Sequence, residues 1–134
     1  MAKIEAIEGI GPVYGEKLLA IGVRTVEKLL KTGATKKGRI QLAEDTGISE
    51  KLILTWVNHA DLFRIKGVGP QYSELLEASG VDTVVELANR NPENLFAKMC
   101  EVNAEKRLVR LTPALVQVQS WVSQAKDLPR AVFY

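Results

Sequence analysis

The chain holds one cysteine and one histidine, and this scarcity removes several chemistries at once. A lone thiol, Cys100, cannot close an internal disulfide. Cys100 falls in an apolar helical pattern and His59 on an apolar stripe. Neither has a base, a nucleophile or a further metal ligand close in sequence, which is the pattern of core residues. The carboxylates are scattered over polar faces, and no glycine-rich loop ends in the Lys-Ser/Thr of a nucleotide-binding turn, so a non-enzymatic protein is expected. Every apolar run falls short of the roughly 20 residues that span a bilayer. The opening Met1-Ala2-Lys3-Ile4-Glu5 lacks the apolar stretch of a secretory signal, and a cytoplasmic protein away from membranes is expected. Excess charge is missing too: 18 Lys and Arg face 16 Asp and Glu, and a net +2 permits contact with nucleic acid without demanding it. No segment alternates with period two long enough to require a sheet, Arg107 to Leu111 being the one short candidate. The expected fold class is therefore all-α.

What the sequence does have is one turn written twice. Ile7-Glu8-Gly9-Ile10-Gly11-Pro12-Val13-Tyr14 returns as Ile65-Lys66-Gly67-Val68-Gly69-Pro70-Gln71-Tyr72, at a constant offset of 58. The match continues from Glu16, Leu18, Ala20, Gly22 and Val23 to Glu74, Leu76, Ala78, Gly80 and Val81, and on to Thr25, Val26 and Leu29 against Thr83, Val84 and Leu87. Two glycines one residue apart imply backbone that side chains disfavour, and the proline then launches a helix. Each copy reads as a proline-started helix, a glycine C-cap at Gly22 or Gly80, and a second helix capped by Thr25 or Thr83. Thr83-Val84-Val85-Glu86 has the form of a full capping box.

Between the turns, Lys31 to Arg39 reads as a Gly- and Thr-rich connection with four positive charges and no negative one. A short helix follows over Ile40–Thr46 with Gly47 as its C-cap. A longer helix N-capped by Ser49 carries Leu52, Trp56, His59 and Phe63 on one stripe. The first helix of each copy is expected to bury Tyr14, Leu18 and Ile21, or Tyr72, Leu75, Leu76 and Ser79, with Gly15 and Ser73 admitting a neighbouring helix. In the second copy a helix starts at Asn91-Pro92, buries Leu95, Phe96, Met99 and Val102, and ends near Asn103. An insertion of about seven residues then moves the matching tryptophan from Trp56 to Trp121. The last helix starts at Thr112-Pro113 and buries Leu115, Val118, Val122 and Ala125, and Leu128 to Tyr134 is left as an extended, partly packed end. The pattern predicts eight to ten helices in two repeats, residues 1–64 and 65–134. At roughly 60 residues each, these are small enough to need one another, so a single compact unit with pseudo-two-fold symmetry is expected.

The pattern Ile-x-Gly-aliphatic-Gly-Pro-x-Tyr-small-x-x-Leu, present in both copies, resembles the helix-hairpin-helix motif of sequence-nonspecific DNA-binding proteins such as repair enzymes, ligases and competence proteins. Over most of the chain, the two hairpins with Thr46-Gly47-Ile48 and the Trp56 helix between them also resemble an uncharacterised bacterial family described as a domain of unknown function. That second likeness implies a fold and no activity. The first implies phosphate binding, and allows a monovalent cation held by hairpin carbonyls as the only cofactor.

The residues themselves support an anion site. Gly9, Gly11, Gly67 and Gly69 have no Cβ to screen their amides, and each pair precedes a helix N-terminus with its positive partial charge. Main-chain donors there would hold a phosphate without reading sequence. Lys66, Lys17 and the clusters Lys36, Lys37, Arg39 and Lys106, Arg107, Arg110 would add attraction toward DNA or RNA. Glu8 and Glu16 oppose it at the first turn, which makes the second turn the better candidate. The alternative is a protein-interaction or structural module whose hairpins are buried and bind no nucleic acid.

Overall fold

The computed structural model describes residues 3–134, and among these every regular element is helical. A 3-10 turn at Ile4–Ala6 precedes eight α-helices: α1 (Gly11–Ala20), α2 (Val26–Thr32), α3 (Lys36–Thr46), α4 (Glu50–Leu62), α5 (Pro70–Ala78), α6 (Val84–Ala88), α7 (Pro92–Lys106) and α8 (Leu115–Lys126). The chain divides into two units: residues up to Asp61 together with Ala131–Tyr134, and Leu62–Arg130. The tail thus belongs to the first unit. There the Phe133 amide donates to the Ala34 carbonyl at 2.7 Å, and Val132 is buried.

α1 and α5 end alike. Gly22 (φ 87°) and Gly80 (φ 94°) take the left-handed conformation that a Cβ disfavours. Their amides donate to the Leu19 and Glu77 carbonyls at 3.0 Å. Val23 and Val81 donate one step further back, to Leu18 and Leu76, at 3.0 and 2.9 Å. This is the Schellman closure, which satisfies carbonyls that a helix end otherwise leaves open, and all four apolar residues of the paired contacts are buried.

Several element boundaries differ from the expectations, each for a local reason. α3 begins at Lys36, not Ile40, because the Gly38 amide finds the Thr35 hydroxyl at 3.1 Å. Gly38 is a steric necessity there: a Cβ would run into the Thr32 carbonyl. α7 runs past Asn103 to Lys106 and stops at Arg107, whose φ of 51° breaks the helix. α8 begins at Leu115, not Thr112-Pro113, and the Gln117 side chain caps it by accepting from the Ala114 amide at 2.8 Å. The Thr83 box is rearranged, since Glu86 accepts from the Asp82 amide at 3.3 Å and Thr83 makes no side-chain cap. Ile21 and Leu52 are exposed, and on α4 the buried stripe is Ile53, Trp56, Val57 and Ala60. Gly15 is covered by the Glu5 side chain, 3.5 Å from where its Cβ would stand, in place of a neighbouring helix. Arg107–Leu111 is loop.

The second unit packs Leu75, Leu76, Leu87, Leu95, Met99 and Val118, all fully buried, around Trp121. Each such side chain contributes about 1.5–3 kcal/mol relative to exposure. That core fixes α5, α7 and α8, and with them the turn at 65–70 and the loop at 107–114.

Candidate functional site

In the second turn, Gly67 (φ 96°) is exposed and seated on the indole of Trp121, whose Nε1 would be 3.0 Å from a Cβ built on the glycine. Gly67 is therefore required twice, by conformation and by space. Gly69 is not: its φ is −114° and nothing lies within 4 Å of its Cβ position. In the first turn Gly9 (φ 91°) and Gly11 (φ 66°) are both left-handed and exposed, and a Cβ built on Gly9 would stand 3.8 Å from Trp56 Nε1. The expectation of two side-chain-excluding glycines per turn thus holds for the first turn and for half of the second.

Each tryptophan is braced by the tyrosine of its own turn. Tyr14 and Trp56 stand 5.3 Å apart, centroid to centroid, at 55°, and Tyr72 and Trp121 stand 5.3 Å apart at 53°. Tilted pairs of this kind add to the burial of the rings. In the second unit the Tyr72 hydroxyl also donates to the Leu111 carbonyl at 3.1 Å, tying the loop that carries Arg107 and Arg110 to the first turn of α5.

Gln124 holds the turn from the other side. Its Oε1 accepts from the Lys66 amide at 2.9 Å and its Nε2 donates to the Lys66 carbonyl at 3.3 Å. Asn103 treats Val109 the same way, accepting from its amide at 2.9 Å and donating to its carbonyl at 3.0 Å. Both segments are thus fixed by paired side-chain hydrogen bonds, while the Lys66, Arg107 and Arg110 side chains are exposed. No hydrogen bond from the Gly67 or Gly69 amide is made among the described residues. The turn's carbonyls are busier: Ile65 accepts from Val68 at 3.1 Å, Gly69 from Ser73 at 2.9 Å, and Lys66 from Gln124. A cation would have to share these oxygens. Among the described residues no group of three or more His, Cys, Asp or Glu is arranged to hold a metal ion.

The remaining cationic candidates are dispersed. Lys106 is exposed in the last turn of α7, where it complements the negative helix end. Lys17 lies in the last turn of α1, at the far end of that helix from Gly11. Lys36 and Lys37 are exposed in the first turn of α3. Arg39 does not join them. It is 3% exposed, and its guanidinium donates to the carbonyls of Gly33 (2.9 Å), Ala34 (3.2 Å) and Phe133 (2.8 Å). The ring of Tyr134 lies 5.8 Å from its Cζ. Its place in a basic run concealed a buried tie for the tail.

Gln124, Asn103 and the Tyr72 hydroxyl went unrecognised in sequence. Only Gln124 left a signal, standing three residues after Trp121 on the face that meets the turn.

The chain belongs to the family described as Domain of unknown function (DUF4332), whose model matches residues 8–128. The match takes in nearly all of both turns and both tryptophans, and stops short of the Ala131–Tyr134 tail. No curated protein and no solved structure matches the chain. No described helix is long and apolar enough to cross a membrane.

Proposed function

We propose that the chain is a non-catalytic module that binds nucleic acid without regard to sequence, with its two turns acting as tandem helix-hairpin-helix motifs. The second turn is the principal phosphate site. One observation carries this: Gly67 is exposed and left-handed on a fixed Trp121 seat, at the positive end of α5, with Lys66 beside it. Unscreened amides at a helix N-terminus favour an anion, and a rigid turn loses little entropy on binding one. Arg107 and Arg110, tied to α5 through Tyr72 and Leu111, supply further phosphate contacts.

The first turn has the glycine geometry, but Glu8 and Glu16 are exposed around it and repel phosphate. Its role is structural, with Lys36 and Lys37 adding longer-range attraction within that unit. A module with buried hairpins needs covered turns, whereas Gly9, Gly11 and Gly67 are exposed in this chain, which favours the nucleic-acid reading.

Fluorescence anisotropy with a labelled DNA duplex at low and moderate salt tests the proposal, with a labelled RNA duplex as a second arm. Three phosphate contacts from Lys66, Arg107 and Arg110 give a log–log salt slope of about −3 or steeper. Failure of both the DNA and the RNA duplex to bind detectably at low salt would overturn it.

A further inference from the structure

We infer that Leu111 is a wedge, giving the second unit a preference for DNA duplexes that contain a broken base step. The inference rests on the phosphate-binding proposal and adds a substrate class to it. Leu111 is 77% exposed, the most exposed of the large hydrophobic side chains among the described residues. It is not a loose residue on a mobile segment. Val109 is buried and clamped by Asn103, Pro113 is buried, and the Leu111 carbonyl itself is held by Tyr72. The chain thus anchors both flanks of the loop and holds an apolar tip out in water.

The chemistry around that tip selects its partner. Arg110 is its exposed neighbour, Arg107 is exposed on the same loop, and the Leu111–Tyr72–Trp121–Gly67 series of contacts leads back to the proposed phosphate site. A protein partner held by hydrophobic burial would call for a broad apolar face. A single leucine among cations instead suits insertion between bases, with phosphates on either side meeting the arginines. Inserting such a wedge unstacks a base step at a cost of a few kcal/mol, and a mismatched step has already lost part of that stacking. The first unit has no counterpart: this loop lies in the insertion that distinguishes the second copy, where the first passes from α3 to α4 through Gly47, Ile48 and Ser49.

The test is anisotropy on two labelled DNA duplexes of the same length, one fully paired and one with a central mismatch, using the full chain and Leu111→Ala. Leu111 is exposed, so the substitution leaves folding intact, which circular dichroism checks. We expect the mismatched duplex to bind about fivefold more tightly to the unsubstituted chain, and Leu111→Ala to remove that preference while keeping affinity for the paired duplex within about twofold. Equal binding of the two duplexes, survival of the preference in Leu111→Ala, or an equal loss on both would overturn the wedge and leave phosphate binding standing. Binding of neither duplex at low salt would overturn both proposals together.

Discussion

A Cβ built on Gly67 would stand 3.0 Å from Nε1 of Trp121, tighter than nearly all real Cβ contacts. In the first unit the same relationship between Gly9 and Trp56 is relaxed to 3.8 Å. Both glycines are left-handed, at φ 96° and 91°, so their difference is one of space alone. The turn and the indole beneath it form one piece, because the tryptophan that fixes the backbone also limits what the backbone can carry.

Alanine at these positions separates conformation from contact. Gly67→Ala meets a disfavoured φ and the indole together, and should cost about 1–3 kcal/mol of stability. Gly9→Ala meets only the first and should cost less. Gly69→Ala, at φ −114° with open space around it, should change stability by less than about 0.5 kcal/mol. Urea unfolding of the three variants gives the order directly, and a Gly69→Ala as damaging as Gly67→Ala would contradict the geometry.

The two Schellman closures predict equal costs at a second pair of glycines. A Cβ on Gly22 has nothing within 4 Å, and one on Gly80 meets only the flexible end of Arg90 at 3.6 Å. Both substitutions to alanine should therefore register the left-handed φ alone, each costing about 1 kcal/mol. Thermal melts of the two single variants should agree within error, and a large difference would mean that one helix end is built otherwise.

Arg39 is the structural centre of the tail. Arg39→Ala leaves the Gly33 and Phe133 carbonyls without their donor, takes one of two donors from the Ala34 carbonyl, and releases the segment whose Val132 is 1% exposed, at a cost of about 3 kcal/mol. Arg39→Lys should restore little, because a single ammonium cannot span Gly33 and Phe133 as the planar fork does. Limited carboxypeptidase digestion checks the tail directly: it should trim both variants quickly and the unsubstituted chain slowly.

How far all this was legible in the sequence follows from which interactions are local. The helix starts at Pro12 and Pro70 and the glycine ends at Gly22 and Gly80 depend on residues a few positions apart, and they were readable. α3 was mistaken at its start because Thr35 followed by lysines looks like a solvated connection, and because the need for Gly38 comes from a carbonyl six residues away. Arg39 was misplaced among surface cations because one of its partners, Phe133, is 94 residues distant. Repeat matching found Trp121, but it compares residue types and not bonds. Gln124 and Asn103, whose work is bonding to backbone, therefore left almost no trace.

Glu8 and Lys66 occupy equivalent positions in the two turns, and this difference gives a test that needs no change in fold. Both are exposed, so substitution at either should leave stability within about 0.5 kcal/mol. If the second turn holds phosphate, Lys66→Ala removes one contact and should flatten the log–log salt slope by about one. Lys66→Glu adds repulsion and should weaken binding by about tenfold or more at low salt. Glu8→Lys gives the first turn the charge of the second on glycines already in the left-handed conformation, and should strengthen binding by several-fold and steepen the slope. The three slopes together locate the site. If none of the three substitutions changes the affinity or the slope, phosphate is held elsewhere on the chain.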